Sequence, residues 1–301
     1  MAVLLESKLQ SEHSAEQVSR AAADALRREA WIAPKPGLVD RFDSGAHRDM
    51  NLHTFYHSAE TIAPFLGRMA ACGALRVGQP PKAVFAQARR IGLEAEAAMF
   101  TATGGVNTHK GAIFSLGLLS TAWGYVRAAR TAERGAQAGP VSEESLLQCA
   151  GAMVAGIVDE ELASDRDGCP TAGARVYRTY GLTGIRGEAE LGFPAVRSFG
   201  IPVLRLARQA GLNADASGLQ VLLSLMTVVE DSNVAARGGL AALGYTQAAA
   251  RRALAAGGMY TAAGRNCIKK MNREFVMRNL SPGGCADLLA VTLFLDTLGK
   301  G

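Results

Sequence analysis

The stretch Thr103-Gly104-Gly105-Val106-Asn107-Thr108-His109-Lys110-Gly111 gathers groups able to do chemistry immediately before the apolar run Ala112 to Leu119. That run suits a buried helix with Asn107 or Thr108 as its N-cap, so unpaired N–H groups and a positive dipole end would converge on the loop. Gly104 and Gly105 let a ligand approach the backbone, Lys110 adds a point charge, and His109 can donate, accept or exchange a proton near neutral pH. Two readings stay open: a cradle for an anion, with phosphate the natural candidate, or a glycine helix cap with a solvated lysine. The spacing matches neither Gly-x-x-x-x-Gly-Lys-Ser/Thr nor a Gly-x-Gly-x-x-Gly that follows a strand, so the two common nucleotide fingerprints do not apply.

Three other stretches are dense in titratable groups. Lys35, Asp40, Arg41, Asp43, His47, Arg48 and Asp49 fall within fifteen residues, in a segment that reads either as a functional loop or as a solvated linker. Gly184 to Pro194 places Arg186, Glu188 and Glu190 between glycines, as an open site or a salt-bridged turn. Asp231, Asn233 and Arg237, at the end of a long apolar run, can meet a hard cation and a phosphate, or form a routine cap. Asp165-Arg166-Asp167-Gly168 lacks the later ligands of a calcium loop and reads as a turn. His53 and His57, single polar residues on a mostly apolar helix, read as structural.

Helices must position these groups. Three-to-four periodicity recurs at least seven times and sustained period-two alternation is absent, which predicts an all-α fold. A helix over Ser14 to Trp31 ends at Pro34. Asn51 caps a second helix in which Pro64 is expected to introduce a kink. Pro80-Pro81 opens a third, with Val84, Ala88, Ile91, Ala95 and Met99 inward and Glu96 near the glycine loop. The central helix runs to about Arg130, Ser142 with Glu143 and Glu144 starts the next, Asp215 to Glu230 is a long apolar helix, and Ser281-Pro282-Gly283-Gly284-Cys285-Ala286-Asp287 leads into a final one over Leu288 to Leu298. No repeat or linker divides the chain, so residues 1–301 read as a single domain.

At 301 residues, 49% hydrophobic and 20% charged, the chain can bury a substantial core and is not disordered. Its longest apolar runs, Ala112 to Val126 and Leu219 to Val229, are short of the roughly 20 residues that span a bilayer. Glu6, Lys8 and Glu12 interrupt any signal-like segment. Five scattered cysteines without Cys-x-x-Cys fit reduced thiols and a cytoplasmic setting. The net charge of +5 comes from dispersed basic doublets with 6% aromatics, which gives no nucleic-acid-reading module and suits small anionic substrates.

Taken together, Pro34-Lys35-Pro36-Gly37-Leu38-Val39-Asp40, Gly45-Ala46-His47-x-Asp49-Met50, Gly105 to Gly111, Gly184-Ile185-Arg186-Gly187-Glu188-Ala189-Glu190 and Ser281-Pro282-Gly283-Gly284-x-Ala286-Asp287-Leu288-Leu289 resemble the triphosphoribosyl-dephospho-coenzyme A synthase family over residues 18–297. Cys285 stands where a serine or other small residue is expected. The resemblance implies transfer of the triphosphoribosyl group of ATP to the 2′-hydroxyl of 3′-dephospho-CoA with release of adenine. The product is the prosthetic-group precursor of citrate lyase, passed on to a lyase acyl-carrier-protein transferase. A sister branch serves malonate decarboxylase; Asp49-Met50-Asn51-x-x-Thr54-Phe55 with Ser58-Ala59 looks more like the citrate-lyase branch.

Such a reaction calls for anion clamps, a general acid at the leaving base, a general base for the attacking hydroxyl, and magnesium on the phosphates. The expected phosphate and substrate groups are Lys35, Arg41, Gly104, Gly105, Asn107, Thr108, Lys110, Arg186 and Arg237. Asp40, Asp49 and Asp231 are the expected Mg²⁺ ligands, and Glu188, His47 and His109 the expected proton-transfer or oxocarbenium-stabilising groups. A Mg²⁺-dependent nucleotide-sugar N-glycosyl hydrolase would use the same kit, and a non-catalytic helical regulator would bind a nucleotide and leave it unchanged.

Overall fold

The computed structural model describes residues 2–135, 139–163 and 171–299, the side chains of residues 2–14 aside. The Asp165-Arg166-Asp167-Gly168 turn and Cys169 lie outside the described residues. The fold is all-α, with no strand among the described residues. Helix α1 (Ala2–Trp31) begins well before the predicted start and stops ahead of Pro34, burying Val18, Ala22, Ala25 and Leu26. Helix α2 (Leu52–Ala74) is fixed at its start by a capping box between Asn51 and Thr54, and it continues through Pro64. Helix α3 (Pro81–Ala102) has Pro81 in its first turn, where the missing N–H is no loss. Its expected stripe is buried except at Ile91, which is half-buried, with Phe85 and Gly92 joining it.

Helix α4 (Lys110–Arg134) is enclosed along most of its first half and packs on α2. The approach is as close as helices allow: a Cβ on Gly73 would lie 2.0 Å from the Thr121 carbonyl oxygen, and one on Gly124 2.0 Å from that of Ala70. Helix α5 (Glu143–Met153) is capped by Ser142, with Glu143 and Glu144 in the first turn as expected. Then come α6 (Ala172–Tyr180), α7 (Gly184–Glu190), α8 (Ile201–Gln209), α9 (Ala214–Met226), α10 (Ser232–Ala255), α11 (Ala262–Met277) and α12 (Gly283–Leu298). Buried residues from α1 through α12 form one hydrophobic cluster, in which α12 touches α1, α4 and α9. No described helix is long and apolar enough to cross a membrane.

Two local readings change. The apolar helix ends at Met226 rather than Glu230, and Asp231 begins α10 as its N-cap instead of closing the helix before it. The glycine-flanked block 184–190 is a short helix and not an open loop. Gly187 and Ala189 bury one side of it, and Glu190 anchors its end by accepting from the N–H groups of Gly156 at 2.6 Å and Val158 at 3.2 Å. Glu190 is thereby committed to the scaffold.

The loop after α1 is held against the α11–α12 connection. Gly37 has φ +71°, a Cβ there would lie 2.1 Å from the Leu280 carbonyl oxygen, and its N–H donates to Asn272 Oδ1 at 2.9 Å. Gly104 has a similar φ of +64° but open space around the missing Cβ. Gly104→Ala should therefore cost only the left-handed conformation, about 1–2 kcal/mol, whereas Gly37→Ala should cost clearly more because the carbonyl must also move. Denaturant unfolding of the two variants checks this; equal losses would show that the close approach at Gly37 is not a constraint.

Candidate active site

A cavity of about 510 Å³ is lined by residues from all five sequence blocks: Lys35 from the first, His47 from the second, Asn107 to Gly111 from the third, Arg186 and Glu188 from the fourth, and Ser281 to Asp287 in the fifth. That volume is in the range of small-molecule sites. At its floor lies an ion pair removed from water. Lys35 is 1% exposed and Glu29, on the last turns of α1, is 3% exposed. The Lys35 ammonium is bonded to the Glu29 carboxylate and donates to the Glu29 carbonyl oxygen at 2.6 Å. Burial raises the Glu29 pKa more than the lysine beside it lowers it.

The start of α4 forms a second wall. Asn107 Oδ1 accepts from the Lys110 N–H at 3.2 Å, so Asn107 provides the cap expected of it, although the helix proper begins one residue after His109. His109 is 3% exposed. Its Nδ1 lies 2.7 Å from Ser58 Oγ on α2, Thr108 Oγ1 donates to the same hydroxyl at 2.7 Å, and the ring meets Phe55 edge-on at 4.9 Å. Burial, then the charge of Lys35, pushes its pKa down to about 3. Burial and Lys35 thus hold the His109 imidazole in its neutral form at physiological pH.

Asp231 joins two helices. Its Oδ1 accepts from the N–H groups of Asn233 at 2.9 Å and Val234 at 3.2 Å, capping α10, while Oδ2 accepts from Cys285 N at 2.9 Å in the first turn of α12. The positive ends of α4, α10 and α12 are thereby presented to one cavity, as Gly111, Ser232 and Gly284 in its lining show, and such ends favour anions. Asp287 lies against α4 because Gly111 has no Cβ, which would sit 2.0 Å from Asp287 Oδ2. Enclosure, then Glu29 and Asp231, raises the Asp287 pKa well above the usual carboxyl value. Glu188 is likewise raised, first by burial and further by Glu230, against the pull of the Ala195 N–H 3.1 Å away.

Cations line the same cavity with their own partners. Lys110 meets Glu96 at 2.9 Å, and Arg186 donates to Glu161 Oε2 at 2.6 Å while Arg89 pairs with the other oxygen. Arg237 donates to Asn279 Oδ1 at 2.8 Å and lies 3.5 Å from His47 Nδ1, with His47 Nε2 2.8 Å from Ser281 Oγ. Burial and then Arg237 lower the His47 pKa, outweighing Asp49. The arrangement offers cations and helix ends for a polyanion, neutral imidazoles, and carboxyl groups that keep their protons to higher pH than free ones.

The family model of ATP:dephospho-CoA triphosphoribosyl transferase (CitG) matches residues 15–301. The chain belongs to that family. It is accordingly a pentosyltransferase that moves the triphosphoribosyl group of ATP to dephospho-CoA. No solved structure was found to match it.

For this transferase the predicted residues divide. Lys35, His47, Asn107, Thr108, His109, Lys110, Arg186, Glu188, Asp231 and Arg237 share the cavity lining, while Arg41, Gly104, Gly105, Asp40 and Asp49 do not. Arg41 is paired with Asp215 and stacked on Trp31 and Phe42. Gly104 and Gly105 close the end of α3, where the Gly105 N–H donates to Phe100 O at 2.7 Å, so the glycines are a helix cap and the residues after them are the wall. The aspartate trio does not assemble. Asp40 accepts from the N–H groups of Lys35, Phe42 and Asp43 at 2.8, 2.7 and 3.2 Å and so holds its own loop. Asp49 is exposed, and Asp231 is spent on helix caps. Among the described residues no group of three or more His, Cys, Asp or Glu side chains is arranged to hold a metal ion.

Glu29 and Arg89 were given no role in the sequence, and Ser58, Ser281 and Asp287 stood there only within motif blocks. Glu29 had a signal: it follows Ala22 and Leu26 at helical spacing, a charge on a buried stripe. Its pairing yields a test. Lys35→Met leaves Glu29 buried and alone, and should lower stability by about 3–5 kcal/mol, whereas Lys35→Met with Glu29→Leu should recover at least about half of that loss. Urea unfolding of the single and double variants measures it; a double variant no more stable than the single would mean that the pair is not what holds the floor together.

Proposed function

We propose that ATP binds in this cavity with its triphosphate toward Lys110, Arg186 and Arg237 and its adenosine toward the floor, and that the 2′-hydroxyl of 3′-dephospho-CoA displaces adenine at the ribose C1′. The observation that carries this reading is the convergence of all five blocks on one cavity with cations and three helix N-termini around it. The C1′–N9 bond breaks with its electron pair on the base, the hydroxyl oxygen bonds to C1′, and the hydroxyl proton is balanced by the one that adenine carries away. Glu188, its pKa raised by burial, suits the proton donor to the departing base. His47, kept neutral by burial and Arg237, suits the acceptor of the hydroxyl proton. Because the lining draws on helices from α1 to α12, the reaction is assigned to the chain as one domain.

A magnesium requirement fits Asp287 better than the three aspartates first expected. Its carboxylate faces Glu29 and Asp231 and is met by no hydrogen-bond donor among the described residues. A cation held by Asp287, with Asp231 beside it, would take its other ligands from phosphate oxygens and water, the usual habit of Mg²⁺. When bound it would screen the triphosphate charge. Among pathways, the Asp49 to Phe55 block with Ser58-Ala59 favours the citrate-lyase precursor over that of malonate decarboxylase, with the product passed to an acyl-carrier-protein transferase. The free thiols among the described residues suit a cytoplasmic, reducing setting.

The test is chromatography of reactions containing ATP, Mg²⁺ and dephospho-CoA. Adenine should require both substrates and disappear with excess chelator; adenine at an equal rate without dephospho-CoA would make the protein a hydrolase, and undiminished turnover in chelator would remove the metal. Glu188→Gln should cut turnover at least about 10²-fold with its melting temperature nearly unchanged. Lys110→Ala should raise the KM for ATP about ten-fold. Near-normal turnover in the first variant takes Glu188 out of the mechanism, and an unchanged KM in the second takes Lys110 off the phosphates.

A further inference from the structure

His109 Nε2 is buried and has no hydrogen-bond partner among the described residues. Buried polar nitrogens in folded proteins are nearly always paired, so an unpaired one in the lining of a substrate cavity points to a partner that arrives with the ligand. Which kind of partner depends on where the imidazole carries its proton. Ser58 is fully buried and accepts from Thr108 Oγ1 at 2.7 Å; the acceptor placed for its own O–H is His109 Nδ1, 2.7 Å away. With Nδ1 accepting, a neutral ring must hold its hydrogen on Nε2. Phe55 packed edge-on at 4.9 Å fixes the plane of the ring.

We propose that His109 donates a hydrogen bond from Nε2 to ring nitrogen N3 or N7 of the departing adenine, and that Thr108 and Ser58 are positioning residues that hold this tautomer. The proposal rests on the ATP orientation given above. Phosphates drawn to Lys110, Arg186 and Arg237 leave the base near Phe55, Met69 and Phe100 in the same lining, on the side of His109. As C1′–N9 breaks, the electron pair spreads over the adenine ring onto N3 and N7, and a donor already aimed at one of them binds more tightly as that charge grows. His109 keeps its proton throughout, so the step stays balanced. The nearby ammonium of Lys35 opposes a second proton on the ring, which keeps the donor uncharged.

Two measurements test it. Wild-type enzyme is assayed with ATP, 3-deaza-ATP and 7-deaza-ATP, each analogue lacking one ring acceptor, beside His109→Phe, which keeps an aromatic ring against Phe55. One analogue should lose at least about ten-fold in kcat/KM with wild type, a difference of about 1.4 kcal/mol, and that penalty should vanish in His109→Phe. Penalties that persist unchanged in the variant, or analogues that react as well as ATP in wild type, overturn the proposal. ¹⁵N NMR of histidine-labelled wild type reads the tautomer without any variant: the proton should sit on Nε2 from about pH 5 upward, and Ser58→Ala should mix the tautomers. A proton found on Nδ1 overturns the proposal as well. No adenine from ATP itself would bring down the transfer reading instead, which the NMR result does not depend on.

Discussion

A lysine and a glutamate with almost no exposure to water set the terms for the rest of this structure. Burying one charge is prohibitive and burying two is tolerable only when they meet in good geometry with their remaining hydrogen-bond capacity used. Lys35 and Glu29 satisfy this because α1 ends at Trp31 and the chain turns back at once, so that Lys35 can reach both the carboxylate and the carbonyl oxygen of Glu29. Asp40 accepts the Lys35 N–H and closes the turn, and Gly37 lets that turn lie against the carbonyl of Leu280. The cavity floor is thus built from the same bonds that fix the entry to α12.

The electrostatics of the cavity follow from that floor. Once a neutral ion pair occupies the bottom, the carboxyl groups of Asp287 and Glu188 have no full counter-charge from it, and enclosure raises their pKa values. The imidazoles of His109 and His47 are driven the opposite way by the same burial and by the cations next to them. Burial thus shifts the two kinds of group in opposite directions, each toward its uncharged form. Environment, rather than residue type, separates the roles.

The all-α class was legible because period three-to-four was sustained and the cap residues Asn51, Ser142 and Pro81 each act on local backbone. The polar blocks were legible for the same reason: density of charge next to glycine is visible in one dimension. What distance in sequence hides is which members of a block turn inward. Asp40 and Asp49 looked like metal ligands, yet one is used up on three N–H groups of its own loop and the other faces solvent. Asp231 looked like the end of a helix and instead caps two, the second of them 54 residues further on. Glu29 and Ser58 sit inside apolar stripes, where a lone polar residue is an anomaly that composition averages away.

The orientation of a nucleotide in such a cavity can be argued from charge alone. In the proposed pose the helix ends and the side chains of Lys110, Arg186 and Arg237 face the triphosphate, and Asp287 and Glu188, shifted toward their uncharged forms by burial, oppose it little. The reversed pose would bring phosphates to the floor, against a glutamate already committed to Lys35. Lys110 and Arg186 are paired with Glu96 and Glu161, which holds their side chains in place at little net stabilisation. In the proposed pose a polyanion of higher charge would displace those carboxylates one contact at a time.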